Sequence, residues 1–137
     1  MAKVSFRLVM PERELLDTEA DMVVVPGSEG DFGVLHGHAP VISTLRPGVL
    51  EVLQGNKVEQ RFIVVGGFAE VTPERCTVLA DEAIPFAEVT AEQLAEREQA
   101  AERDLVDAAN DAERAAAQKD LAVAKDLRRA QAYYASR

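Results

Sequence analysis

Ile84-Pro85-Phe86-Ala87-Glu88-Val89-Thr90-Ala91-Glu92-Gln93-Leu94 is the stretch where the chain changes its grammar. All 8 glycines and all 6 prolines of the 137 residues lie at or before Pro85, and the 52 residues beyond it have neither. Glycine supplies positive φ at turns and proline interrupts hydrogen-bond ladders, so residues 1–85 are built from short elements joined by turns. The remainder lacks helix breakers and carries 16 alanines, the best intrinsic helix formers. The boundary is expected at about 86–90, dividing the chain into domains 1–87 and 88–137.

Upstream of the boundary, apolar and often β-branched runs appear at Val4–Val9, Met22–Val25, Val49–Leu53, Arg61–Val65, Phe68–Val71 and Cys76–Ala80. Pro26-Gly27, Pro47-Gly48, Gly55-Asn56, Gly66-Gly67 and Thr72-Pro73 separate them as turns. Short strands at this spacing predict an antiparallel β-sandwich or flattened barrel. Met22–Val25 and Ile63–Val65 are continuously apolar, so one face enters the core while the other meets something besides water.

Downstream, Thr90 and Gln93 have the spacing of a capping box. Ala109-Asn110-Asp111 is the expected reversal, with Asn110 in the left-handed conformation and Asp111 capping the next helix. The class is therefore α+β in two parts, the sheet unit followed by an antiparallel two-helix hairpin. Leu94, Ala101, Leu105 and Ala108 make a thin stripe interrupted by Glu98; Ala117, Leu121, Ala124, Leu127 and Tyr134 face them, with Arg128 and Gln131 intruding. Burying alanine gains little at roughly 25 cal/mol per Å². A stripe so poor in Leu and Ile suits a hairpin that can detach and repack.

Charge and composition exclude several functions. With 24 acidic against 15 basic residues the formal charge is −9, unsuited to nucleic acid or anionic lipid. No apolar run approaches the roughly 20 residues that cross a bilayer, and MAKVSFRLVM does not read as a secretory signal. One cysteine, Cys76, permits no internal disulfide and fits a reducing compartment. Its alternation with apolar neighbours marks it as a core residue.

Candidate chemistry is sparse. The glycines at 27, 30, 33 and 37 lack the Gly-Lys-Ser/Thr of a phosphate-cradling loop, so the stretch reads as an irregular loop. His36-Gly37-His38 after Gly30 has the opening spacing of a cupin metal motif, in which histidines two apart on a strand share a metal. A third ligand is missing from the residues that follow, so metal: none is the expectation, with a cupin-like metal-binding barrel using His36 and His38 as the alternative. A soluble adaptor with a coiled-coil tail is the third reading.

Gly27-Ser28-Glu29-Gly30-Asp31-Phe32-Gly33-Val34-Leu35-His36-Gly37-His38-Ala39-Pro40, followed by Leu45-Arg46-Pro47-Gly48-Val49-Leu50, closely resembles the epsilon subunits of bacterial and chloroplast F-type ATP synthases. Gly66-Gly67-Phe68-Ala69-Glu70-Val71 and Val78-Leu79-Ala80-Asp81 resemble that family's later strands. The resemblance implies a non-catalytic rotor subunit, without cofactors, that couples c-ring rotation to the catalytic head. It implies a place at the cytoplasmic face of the bacterial plasma membrane, reached only indirectly through the complex. Glu29, Gly30 and Asp31 correspond to the loop that touches the c ring, whose polar loops commonly present basic or amide side chains. Gly33, Gly37, His38, Ala39, Pro40, Pro47, Gly48, Gly66 and Gly67 fall on motif positions that keep the fold.

The remaining apolar sheet surface is implied to pack on the gamma subunit, with Met10, Val41 and Leu45 as candidates. In many members the hairpin either lies folded or extends along gamma into the alpha/beta head and inhibits ATP hydrolysis. Lys119, Lys125, Arg128 and Arg129 occupy the positions that meet acidic residues of the beta subunit in that form. The ATP-binding motif of some members, Ile/Leu-Asp-x-x-Arg-Ala, is replaced here by Val89-Thr90-Ala91-Glu92-Gln93-Leu94, with Thr90 and Gln93 among its departures. Weak or absent ATP sensing is expected.

Overall fold

The computed structural model describes residues 2–137, so Met1, the first residue of the expected first domain, lies outside the described residues. The chain forms two compact units, one running to Phe86 and one from Ala87 to Arg137. The first holds ten strands: β1 (Val4–Val9), β2 (Glu14–Ala20), β3 (Met22–Gly27), β4 (Gly30–Val34), β5 (Val41–Thr44), β6 (Gly48–Gln54), β7 (Lys57–Val65), β8 (Phe68–Val71), β9 (Arg75–Leu79) and β10 (Glu82–Pro85). They make two five-stranded sheets, ordered β2-β1-β9-β8-β5 and β10-β7-β6-β3-β4.

The six strands legible as apolar runs are the interior ones, and the four not recognised, β2, β4, β5 and β10, are the four sheet edges. An edge strand pairs on one side only and tolerates polar residues, so its sequence need not be apolar. Thus Glu14-Leu15-Leu16-Asp17-Thr18-Glu19-Ala20 folds as β2 through six register pairs with β1. One pairing departs from the antiparallel expectation: β1 runs parallel to β9. The two lie far apart in the chain, so no hairpin dictates their direction.

Between the sheets, Phe6, Leu8, Val25, Leu50, Val64 and Val78 are among the core residues with little or no exposure. Along β3, Val23 and Val25 enter this core, while Met22 and Val24 are only half-buried. Cys76 is fully buried there, and burial alone pushes its thiol up to about 12. Gly67 admits no side chain: its φ is +94°, and an added Cβ would stand 1.8 Å from the Leu79 carbonyl oxygen.

The second unit contains a short 3-10 turn (Phe86–Glu88), α1 (Ala91–Asp107) and α2 (Asp111–Ala135). The capping box forms as its spacing requires. The Thr90 hydroxyl accepts from the Gln93 amide at 3.1 Å, and the Gln93 side chain accepts from the Thr90 amide at 2.9 Å. The reversal differs in detail from expectation. Asn110 is extended (φ −151°) and is itself the N-cap of α2, accepting from the Glu113 amide at 2.8 Å. Glu113 accepts in turn from the Ala109 amide at 2.7 Å, so the turn satisfies its donors without a left-handed residue. The buried residues of the hairpin are Leu94, Ala101, Ala117, Ala124 and Leu127.

Candidate functional site

The glycine-rich stretch read as an irregular loop is a hairpin. β3 and β4 pair from Val23↔Val34 to Gly27↔Gly30, leaving Ser28 and Glu29 at the turn. Gly27 is required sterically, since a Cβ would lie 2.8 Å from the Gly30 carbonyl oxygen and 2.9 Å from the Phe32 ring. The turn is fastened to the end of β5: the Ser28 amide donates to the Thr44 carbonyl at 2.9 Å, and their hydroxyls meet at 2.7 Å. Arg46 completes the attachment. Its amide donates to the Pro26 carbonyl at 3.0 Å, Nη1 donates to the Gly27 carbonyl at 2.6 Å, and Nη2 pairs with Asp31. Glu29, Gly30 and Asp31 are exposed, as a docking tip requires, but they belong to a braced turn.

Arg46 is the residue that sequence reasoning missed. It was visible only as a motif letter in Leu45-Arg46-Pro47-Gly48. Its reach to Asp31, 15 positions back, depends on the β3–β4 register, which the polar residues of β4 concealed.

Beside this tip lies an open cleft of about 400 Å³ whose lining includes Asp31, Phe32, His38, Pro40 and Ser43. His38 Nδ1 donates to the Ala39 carbonyl at 2.7 Å, and its ring stands 6.2 Å from that of Phe32. Gly37 turns the chain at φ +90°, and its amide donates to the Pro73 carbonyl at 2.6 Å. The cupin alternative is corrected here. His36 and Gly37 form a turn and His38 follows it, so the histidines lack the strand that would aim both rings to one side. Among the described residues, no group of three or more His, Cys, Asp or Glu side chains is placed to hold a metal.

The candidate apolar contacts separate. Val41, at the sheet edge, is 38% exposed, whereas Leu45 is 8% exposed and belongs to the core. Leu45 is thus largely covered within the sandwich and keeps little surface for a partner. Met10 is half-buried against the core. Ile42 (69% exposed), Phe68 and Leu79 are exposed as well, though nothing in their sequence singles them out. Phe68 lies opposite both Thr44 on β5 and Leu79 on β9, so these side chains share the outer face of the first sheet.

On α2, Lys125, Arg128 and Arg129 line one groove of about 420 Å³ with Glu98 and Ala132. Lys119 stands six residues before Lys125, about 120° away around the helix, and does not join them. Arg128 pairs with Glu98 and Arg129 with Asp126 at 2.9 Å. Among the described residues, no helix is long and apolar enough to cross a membrane.

A ten-stranded sandwich with a fastened acidic tip, followed by a two-helix unit, defines a small α+β protein whose distinctive features are exposed surfaces. Residues 3–86 match the family described as ATP synthase, Delta/Epsilon chain, beta-sandwich domain. The chain is 50% identical over 125 residues to the ATP synthase epsilon chain of Paramagnetospirillum magneticum, covering 91% of this chain and 94% of that one. It is 51% identical over 122 residues to the ATP synthase epsilon chain of Rhodospirillum rubrum, covering 89% and 91%. This chain belongs to the ATP synthase delta/epsilon family. A chain in the cryo-EM structure of the Euglena gracilis mitochondrial ATP synthase, OSCP/F1/c-ring in rotational state 1, superposes with a TM-score of 0.80. That likeness is at 26% identity and covers 95% of this chain and 82% of that one. A chain in the central stalk/c-ring structure of the Tetrahymena thermophila mitochondrial ATP synthase shares the fold at a TM-score of 0.67 and 17% identity, over 96% of both.

Proposed function

We propose that this chain is a non-catalytic subunit of the central stalk of an F-type ATP synthase, coupling rotation of the c ring to the catalytic head. The observation that carries the reading is 50% identity, across nearly the whole of both chains, with a protein named ATP synthase epsilon chain. Residues 1–87 are the docking body. Its acidic tip, Glu29-Gly30-Asp31, meets the polar loops of the ring. Fastening to Thr44 and Arg46 suits that task, because a tip that transmits torque must not fold away under load.

The outer face bearing Ile42, Phe68 and Leu79 packs on gamma, with Val41 at the sheet edge and Met10, half-buried against the core, as neighbouring contacts. Exposed Ile and Phe side chains sharing one face favour a partner that removes them from water. The hairpin, 88–137, is the regulatory element. Extended, it presents Lys119, Lys125, Arg128 and Arg129 to acidic residues of the beta subunit and inhibits ATP hydrolysis. Its ATP sensing is weak or absent, since the residues at Thr90 and Gln93 depart from the family's nucleotide motif. The complex holds the chain at the cytoplasmic face of the bacterial plasma membrane.

The test is the ATPase rate of an assembled synthase carrying either the full chain or one ending at Ala87. A higher rate without the tail supports inhibition. An equal rate removes the regulatory part of the reading and leaves the docking part standing.

A further inference from the structure

The β3–β4 tip carries two carboxylates, and the fold treats them differently. Asp31 lies on the second rung below the turn, opposite Pro26, and accepts from Nη2 of Arg46. The same guanidinium donates through Nη1 to the Gly27 carbonyl on the other arm, so one side chain from outside the hairpin ties both arms together. Glu29 sits at the turn itself, exposed, and makes no hydrogen bond or ion pair among the described residues.

We propose that Arg46 is the positioning residue of this tip and that Glu29, not Asp31, is the anion that meets the partner's cationic or amide side chains. This rests on the reading that the tip docks on the c ring. Asp31 and Arg46 cancel each other's charge, which leaves the tip with the charge of Glu29 alone. A carboxylate already paired with a planar guanidinium has less to gain from a second cation, whereas a free one keeps its full long-range attraction. The guanidinium's fork also fixes direction: one prong on a backbone carbonyl and one on Asp31 hold the turn at a set angle, which a lysine's single ammonium does less well.

Two measurements on the full chain separate the brace from the docking. In the free chain, NMR should show hindered rotation of the Arg46 guanidinium in wild type and in Glu29→Gln, and faster rotation in Asp31→Asn, where only the bond to the Gly27 carbonyl remains. The second measurement is affinity for a gamma–c-ring complex depleted of this chain. Glu29→Gln should weaken binding about fivefold and flatten its salt dependence. Asp31→Asn and Arg46→Gln should each weaken it, and their double variant should be no worse than either alone, because both break one brace. Arg46→Lys should restore part of the loss. An unhindered guanidinium in wild type overturns the brace. Wild-type binding by Glu29→Gln, with strictly additive losses from the other two, overturns the assignment of Glu29 while ring docking stands. Wild-type binding by all variants overturns the docking itself.

Discussion

Arg128 of α2 donates through Nη1 to Glu98 of α1 at 2.5 Å, joining the one charged residue that interrupts the first helix's apolar stripe to one that interrupts the second's. Three of the five buried residues of α1 and α2 are alanines, so the apolar burial along these helices is small, and this pair carries more weight than a typical surface bridge. Its carboxylate is well shielded at 16% exposure, while the guanidinium is half exposed. Any extended form that separates α1 from α2 breaks it.

Glu98→Ala should therefore lower the opening free energy of the hairpin by about 0.5–1 kcal/mol, discounted for the exposure of Arg128. Amide exchange across Ala117–Leu127 reads this as a rise of about two- to fivefold. High salt should shrink the difference between variant and wild type. Exchange that is unchanged in Glu98→Ala would show that alanine packing alone closes the hairpin.

Cys76 should be inert to thiol reagents at neutral pH in the folded chain, because the thiolate is the reactive form and burial pushes the thiol up to about 12. The same shift sets a pH dependence. Below the ordinary value of 9.0 the thiol is neutral whether folded or unfolded and contributes no slope. Above it the unfolded chain loses a proton that the folded chain keeps, so stability falls as pH rises from about 9 towards 12. Denaturant midpoints over that range check the prediction, and Cys76→Ala should remove this part of the decline. A midpoint decline identical in Cys76→Ala would assign the effect elsewhere.

Gly67→Ala should cost at least about 2 kcal/mol and lower Tm by about 10 °C, since the new Cβ meets the Leu79 carbonyl oxygen and the backbone sits at positive φ. Gly55→Ala, with φ +62° and open space around it, isolates the backbone penalty and should cost about 1 kcal/mol. Equal melting of the two variants would mean that the close approach at Gly67 relaxes freely. The Gly67 carbonyl also accepts from the Leu45 amide at 3.1 Å, so this glycine helps place the segment that carries Arg46.

The division of the chain was legible because Gly and Pro stop together at Pro85, and the start of α1 because Thr90 and Gln93 declare a capping box locally. The interior strands were legible because pairing on both flanks sets them over the core and favours apolar runs such as Ile63–Val65. The edges were hidden for the converse reason: Glu14–Ala20 and Gly30–Val34 have open flanks and carry acids and glycines freely. The site followed the same division. Glu29, Gly30 and Asp31 are candidates through their motif, but the contact between Arg46 and Asp31 depends on a register that only the folded sheet defines. The burial of Leu45 was hidden because an apolar residue between Thr44 and Arg46 looks the same in sequence whether it turns inward or outward.

The most direct measurement is ATP-driven proton pumping by a synthase assembled without its epsilon chain, before and after addition of this full-length protein. Hydrolysis that drives little pumping beforehand, and strong pumping once the protein is bound, is the predicted result. Pumping that is the same with and without it, or a protein that washes off the gamma–ring assembly, would contradict a role in the rotor.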